Sequence, residues 1–368
     1  MGTRRNFIGK AALAGTALAS NPSLGITILN KSTPKNDIIG HGDYKYKVIR
    51  DWAKMSVAHN PLLNCHEMQM DSKGRLLMLG DHTANNILVF DKSGKMLDYW
   101  GTGYPGGHGL TLHDEGGEDM LYIVDCGYYL DRTGKNQAQA GQVFKTTIDG
   151  RLIFSLPHPY TIGVYKMDDA YRPTETAIGP NGDIYVADGY GSDYILHYNH
   201  KGEFIRKWGG HDNVDKNYDL INAHGVALDY RDKNNPVLVV TSRTANAFKF
   251  FTLDGKFIKT VNLPGAFVCR PVLDDGNIYS GVCWSETRDG RKWVPNTGFV
   301  TILNNQNKVV SNPGGEAPRY INGKLQKMYQ AQPAIFNHGH DVFVDEDKNI
   351  YVCQWNAHYT PPIKLERV

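Results

Sequence analysis

Three histidines recur at equal intervals in similar short motifs. His108 lies in Gly-His-Gly-Leu, His224 in Ala-His-Gly-Val and His340 in Gly-His-Asp-Val. Intervals of 116 residues separate His108 from His224 and His224 from His340. Three imidazoles that meet at one point form the ligand set of a catalytic zinc ion, whose fourth position stays open for water or substrate. The sequence therefore predicts that these three histidines bind zinc.

A simpler interpretation is that His-Gly is only a favourable way to enter a strand. Three matched instances at one spacing are far more specific than a single instance, so the metal interpretation is preferred. It requires a fold that carries equivalent strands to a common centre.

The elements around the histidines predict such a fold. Each histidine opens an alternating apolar run, which is followed by a Gly- or Asp-rich turn and a second apolar run. Runs of this kind read as short antiparallel strands joined by tight turns. We count six such units along the chain, which predicts an all-β, six-bladed propeller. The histidines then start the innermost strands of blades two, four and six, about 120° apart around the axis.

The ends of the chain complete this domain organisation. The early strand Tyr44–Arg50 is expected to complete the last blade and close the ring, so the propeller is predicted over residues 44–368. Residues 20–43 are polar and read as a flexible leader. Residues 1–19 contain Arg4-Arg5, an apolar stretch and a small-x-small site, which is typical of a twin-arginine signal peptide. We therefore expect export to the periplasm or beyond.

The composition excludes several classes of function. The formal charge is +2, from 40 Lys and Arg against 38 Asp and Glu, so no basic field for nucleic acid is present. No apolar run reaches the roughly 18 residues of a spanning helix, which predicts no membrane anchor. The five cysteines form no C-x-x-C pair, which excludes a zinc ribbon and leaves at least one unpaired. We expect a monomer.

Four motifs carry a resemblance to a known family. They are Arg-Pro-Thr-Glu ending at Glu175, Asp-Gly-Tyr ending at Tyr190, Ala-His ending at His224 and Ser-Arg ending at Arg243. With their surroundings they resemble the peptidyl-α-hydroxyglycine α-amidating lyases over most of residues 60–365. The resemblance implies a six-bladed propeller and a zinc-dependent lyase. Its substrate would be a peptide or small-molecule N-acyl α-hydroxyglycine, cleaved to an amide and glyoxylate.

The resemblance also implies roles for particular residues. It implies that His108, His224 and His340 bind the zinc. It also implies that Tyr190 acts on the substrate hydroxyl and that Arg243 lies in the site. A phenol must have its pKa lowered to accept a proton, and zinc with Arg243 would lower it. A structural calcium would be bound by the side chain of Asp341 and the carbonyl of Leu110.

Two departures from the family pattern concern the site itself. His338 stands where the family has a methionine, and a further imidazole there would be a fourth ligand or a base. The family's carboxylate-binding arginine in blade one has no counterpart, and His66 occupies a channel-lining position instead.

Two other functions remain open from the residues alone. One is another metal-dependent propeller enzyme, such as a lactonase-like hydrolase that uses the same histidines. The other is a non-catalytic NHL-type propeller that binds partners with its faces. Fold alone does not choose between them. Metal content would distinguish the binding propeller from the two enzymes. The product would distinguish the enzymes from each other, since the lyase releases glyoxylate and the lactonase-like hydrolase a ring-opened acid.

Overall fold

A computed structural model describes residues 37–56, 58–131, 133 and 135–368. Within these residues the chain forms thirty β-strands. Nowhere in that part of the chain does a helix reach the length and apolarity that a membrane crossing would need. The predicted signal peptide over residues 1–19 lies outside the described residues.

Two short strands precede the first blade. β1 (Ile38–His41) and β2 (Tyr44–Ile49) form an antiparallel hairpin. The predicted leader over residues 20–43 therefore overlaps β1, and the folded domain begins at Ile38 rather than at Tyr44. The remainder of that leader, residues 20–36, lies outside the described residues.

Blades one to three are four-stranded antiparallel sheets. Blade one contains β3 (Cys65–Met70), β4 (Leu76–Gly80), β5 (Ile87–Phe90) and β6 (Met96–Trp100). Blade two contains β7 (Gly107–Asp114), β8 (Asp119–Asp125), β11 (Gln142–Thr147) and β12 (Leu152–Ser155), with an inserted hairpin of β9 (Tyr128–Leu130) and β10 (Asn136–Ala138). Blade three contains β13 (Glu175–Ile178), β14 (Ile184–Ala187), β15 (Tyr194–Tyr198) and β16 (Phe204–Gly209).

Blades four to six continue the pattern with one irregularity. Blade four contains β17 (Val226–Asp229), β18 (Val237–Ser242), β19 (Ala247–Thr252) and β20 (Phe257–Asn262). In blade five the innermost strand is split into β21 (Ala266–Val268) and β22 (Val272–Asp274), followed by β23 (Asn277–Ser285), β24 (Phe299–Leu303) and β25 (Val309–Ser311). After the hairpin β26 (Tyr320–Ile321) and β27 (Lys324–Leu325), blade six contains β28 (Gly339–Val344), β29 (Ile350–Gln354) and β30 (Ile363–Arg367).

The ring closes by pairing the two ends of the described chain. β2 pairs antiparallel with β30, with Tyr46 opposite Arg367 and Val48 opposite Leu365. The last blade therefore has the strand order β1-β2-β30-β29-β28. The predicted six-bladed, all-β propeller closed by an N-terminal strand is confirmed.

Side-chain chemistry explains why the strands turn and pack in this way. At the turn between β5 and β6, Asp91 accepts hydrogen bonds from the backbone N–H groups of Ser93 and Lys95, and Gly94 adopts a φ of +83°. Such an Asx turn favours glycine, because a side chain is strained at positive φ. Between the blades, the buried apolar residues form six clusters, each of which joins two neighbouring blades. Burying these faces is what stabilises the ring.

Candidate metal centre

Three of the channel histidines occupy equivalent β-bulges. The ladder register shifts at His66 in β3, at His108 in β7 and at His340 in β28. A bulged residue leaves the ladder, so its side chain is re-aimed away from the sheet. His224 reaches the same level from the loop two residues before β17 begins at Val226.

The structure brings the three histidines of the repeat together. Their ring centroids lie 4.7 Å apart for His108 and His340, 4.8 Å for His108 and His224, and 5.0 Å for His224 and His340. The Nε2 atoms of His108 and His340 are 3.2 Å apart. All three side chains are buried.

The hydrogen bonds of two rings determine which nitrogen faces the centre. Nδ1 of His108 lies 2.8 Å from the carbonyl oxygen of Thr174, and Nδ1 of His340 lies 3.0 Å from that of His66. A carbonyl oxygen only accepts, so both Nδ1 atoms carry the proton and both Nε2 atoms present a lone pair. Two lone pairs at 3.2 Å repel each other unless a cation lies between them. Metal-bound histidines make this same outer hydrogen bond.

A fourth imidazole belongs to this group. Ligand nitrogens of His66, His108 and His340 all lie within 4.8 Å of one another, which makes these three a possible metal site. The His66 ring is 5.1 Å from that of His108 and 5.0 Å from that of His340, between centroids. We call His66, His108, His224 and His340 the histidine layer. Its donor set suits a metal ion that prefers imidazole nitrogen.

Burial keeps the repeated histidines neutral. It lowers the pKa of His108, His224 and His340 well below the ordinary value, and the positive charge of Arg243 acts in the same direction. A neutral imidazole is the form that binds a metal, so the layer does not have to lose protons on binding.

Tyr190 and Arg243, both predicted in the site, border the histidine layer. The hydroxyl oxygen of Tyr190 lies 3.1 Å from Nε2 of His108 and 3.2 Å from Nε2 of His224. Arg243 is buried, and its Nη2 lies 3.2 Å from Sγ of Cys269. Burial raises the pKa of Tyr190, and the positive charge of Arg243 opposes this without reversing it. Burial and Arg243 alone therefore leave Tyr190 a neutral phenol, and the lowering that zinc would add stays a prediction.

His338 occupies a different environment. Its ring packs between Trp284 and Trp355, with centroids 5.7 Å and 5.5 Å away, and its Nε2 accepts a hydrogen bond from the backbone N–H of Asn296. The three histidines whose ligand nitrogens lie within 4.8 Å of one another are His66, His108 and His340, so neither His338 nor His224 belongs to that group. The additional imidazole near the centre is His66 instead.

A layer of charge follows the histidines, one residue further along the innermost strands. Arg270 donates to Asp341 through Nε and Nη2, both at 3.0 Å, and also pairs with Glu67 at 3.7 Å and Glu175 at 3.6 Å. All four side chains are buried. We call Glu67, Glu175, Arg270 and Asp341 the charged layer.

This arrangement does not fit the calcium ion expected at Asp341 and Leu110. Calcium takes about six to eight oxygen ligands. Here both carboxylate oxygens of Asp341 bind the guanidinium of Arg270, and the carbonyl of Leu110 accepts a hydrogen bond from Nε2 of Gln69 at 2.8 Å. The guanidinium of Arg270 thus binds the carboxylate of Asp341 that the calcium ion would need.

Sequence reasoning missed Arg270 and did not give His66 a metal-binding role. Neither belongs to the repeat of 116 residues. Aligning all six innermost strands would have found both, since His66 aligns with His108 and Arg270 with Asp341. The pattern that identifies them recurs in every blade, whereas the interval of 116 residues compares only every second blade.

Comparison with known proteins confirms the resemblance to the amidating lyases. No family model matches the chain. Over 220 residues it is 31% identical to peptidyl-alpha-hydroxyglycine alpha-amidating lyase 1 of Drosophila melanogaster, covering 58% of this chain and 34% of that protein. Over 156 residues it is 26% identical to a probable lyase of the same name in Caenorhabditis elegans, covering 41% and 39%. The matched region thus spans well under two thirds of either relative.

The solved structures are similar to this chain in fold only. A gluconolactonase from Xanthomonas campestris superposes with a TM-score of 0.52 at 11% identity, over 88% of this chain and 90% of that chain. Lyase-named and lactonase-named proteins therefore share this architecture, and the chemistry must be argued from the site.

Proposed function

We propose that this protein is a zinc-dependent lyase that cleaves N-acyl α-hydroxyglycines to an amide and glyoxylate. The observation that carries the proposal is the pair of Nε2 lone pairs, on His108 and His340, that face each other at 3.2 Å. Neither nitrogen can carry the proton while both Nδ1 atoms donate to carbonyls. A cation between the rings removes this repulsion, and the names of the relatives suggest its use.

The residues that would hold zinc are His108, His224 and His340. Bound there, zinc would act as a Lewis acid and lower the pKa of a hydroxyl group in its open position. Burial of the site strengthens every charge interaction within it. The substrate N-acyl-NH–CH(OH)–COO⁻ offers one hydroxyl for this position and one carboxylate beside it.

Arg243 is the group that would bind the substrate carboxylate. It is buried beside Tyr190, and its Nε has no hydrogen-bond partner among the described residues. A guanidinium with a free N–H can bind a carboxylate strongly and in a fixed orientation. The hydroxyl-bearing carbon would then lie next to Tyr190.

Tyr190 would move the proton. Because its phenol is neutral, it can accept the proton of the substrate hydroxyl while passing its own proton to the amide nitrogen. The C–N bond breaks with its electron pair leaving on nitrogen, and the O–H pair becomes the second bond of the new carbonyl. Amide and glyoxylate are the only products, and no water is consumed.

The decisive experiment measures products and bound metal together. Protein loaded with zinc should convert α-hydroxyhippurate to benzamide and glyoxylate, and protein stripped of metal should not. Tyr190→Phe should retain zinc and lose turnover by about 10²- to 10⁴-fold, the usual contribution of a proton-transfer group. His224→Ala should weaken zinc binding as well as lower turnover.

Tyr99→Phe is the matched control, because Tyr99 is an exposed tyrosine on the outer strand β6. It should keep both zinc and turnover. Zinc-loaded wild-type protein that releases no glyoxylate would rule out the lyase. Ring-opened acid from lactone substrates would then favour the hydrolase, and absence of bound metal would favour a binding propeller.

A further inference from the structure

His66 is held by a carboxylate that faces it from the neighbouring strand. Nε2 of His66 lies 3.3 Å from Oδ2 of Asp81, which directly follows β4. Asp81 is fixed in turn by Asn64, whose backbone N–H and Nδ2 donate to its two oxygens at 2.9 Å and 2.6 Å. The ring orientation of His66 is therefore determined on its outer side.

The hydrogen bonds of Asp81 indicate the tautomer of His66. Both carboxylate oxygens of Asp81 accept hydrogen bonds from Asn64, and Oδ2 also faces Nε2 of His66. A carboxylate only accepts hydrogen bonds, so Nε2 of His66 carries the proton. In the neutral ring, Nδ1 then has a lone pair.

Nothing among the described residues uses that lone pair. Nδ1 of His66 is buried and has no hydrogen-bond partner. A buried polar atom without a partner is destabilising, so such atoms call for an explanation. The neighbours of the ring are His108 and His340, whose Nε2 atoms are also unprotonated.

We propose that His66 is a fourth metal ligand, bound through Nδ1, and that Asp81 is the residue that positions it. The inference rests on the metal of the proposed function and extends its ligand set from three imidazoles to four. Carboxylate–histidine–metal arrangements of this kind set the tautomer and raise the basicity of the ligand.

A fourth imidazole changes how substrate enters. With three histidine ligands, zinc would leave a fourth position for the substrate hydroxyl, whereas with four the hydroxyl would have to bind as a fifth ligand. Zinc sites expand to five ligands during catalysis, so the additional histidine is compatible with the proposed reaction. The extra ligand should mainly increase the affinity for the metal.

The test is metal binding, with Zn²⁺ and Co²⁺ as the probes. Asp81→Asn should weaken Zn²⁺ binding by about 10- to 100-fold, the usual effect of losing an outer hydrogen bond to a metal ligand. His66→Ala should weaken it at least as much. Both variants should also change the energy and intensity of the visible Co²⁺ absorption, a signal that reports the ligand set and not the stability of the fold.

The chain provides a matched control pair. His197 and Asp183 form a similar buried pair, at 2.8 Å, and Nδ1 of His197 also lacks a partner, yet His197 lies on the third strand of blade three. His197→Ala and Asp183→Asn should leave affinity and the Co²⁺ spectrum unchanged. Unchanged affinity and spectrum in His66→Ala would overturn the inference and leave the lyase proposal intact. Wild-type protein that binds neither metal would overturn both.

Discussion

Two adjacent layers of the channel differ in how their charge is balanced. The histidine layer brings together imidazole nitrogens that could bind a metal ion, and burial keeps its repeated imidazoles neutral. The charged layer next to it contains three carboxyl groups and one guanidinium. The charged layer therefore contains its own cation, Arg270, whereas the histidine layer offers neutral ligands to a cation from outside the chain.

The difference shows that a propeller channel can place a possible metal centre beside a network of buried ion pairs. In blades one and six, consecutive residues contribute to the two layers, His66 with Glu67 and His340 with Asp341, so a change in one layer affects the other. Burial raises the pKa of Glu67 and Glu175, and the charge of Glu175 raises that of Glu67 further. The charged layer therefore favours retention of a proton at Glu67.

The largest effect is expected from removing the cation of the charged layer. Arg270→Met leaves Asp341 as a buried carboxylate without its partner, which typically costs about 3–5 kcal/mol of unfolding free energy. Chemical denaturation measures this cost. A calcium chelator should leave the stability of the wild-type protein unchanged, since Arg270 supplies the charge.

Arg291→Met is the control for this variant, because Arg291 pairs with Asp289 on the surface. Surface pairs contribute at most about 1 kcal/mol, so this change should be small. A wild-type protein that loses stability in the chelator would show that calcium, and not Arg270 alone, neutralises the charged layer.

Acid should destabilise the metal-free protein through the histidine layer. The three repeated histidines have pKa values well below 6.5 in the folded state, so below pH 6.5 the unfolded state binds more protons. Stability is then lost as pH falls, by about 2 kcal/mol between pH 7.5 and pH 6 for three such groups. Thermal unfolding across this range measures the loss. Equal stability at both pH values would mean that the layer does not titrate as described.

The smallest effect is expected at Glu67. Burial raises the pKa of this carboxyl well above its ordinary value, and in Glu67→Gln the amide oxygen can still accept a hydrogen bond from the N–H of Leu110. We expect a change under about 1 kcal/mol at pH 7. Asp341→Asn removes the carboxylate that accepts two hydrogen bonds from Arg270 and should cost about 3–5 kcal/mol. Similar losses for the two variants would show that Glu67 is ionised.

The sequence predicted the fold and the convergence of the repeated histidines for one reason. Turn chemistry, alternating strands and a regular interval are local or periodic signals, and the ring geometry follows from them. The equal spacing of His108, His224 and His340 is therefore enough to place them together at the centre of a six-bladed ring.

The remaining features depend on contacts across the channel that no interval reveals. Arg270 meets Asp341, Glu67 and Glu175 from different blades, so its partners are known only once the ring is closed. The short distance in the chain from His338 to His340 predicts a place near the centre. His338 instead lies before β28, and the β-bulge that turns the His340 ring into the channel comes after it, so the His338 ring packs against Trp284 and Trp355. The direction of the backbone just before β28 therefore determines where the His338 ring lies.

The pairing of β2 with β30 also determines the order in which the site can be assembled during synthesis. The ribosome synthesises the chain from its N-terminus, so β2 cannot pair with β30 until Ile363–Arg367 has emerged. His340 belongs to the same last blade. The repeated histidines therefore come together only after nearly the whole domain has been synthesised, and the metal that we propose for them would bind after synthesis of these blades.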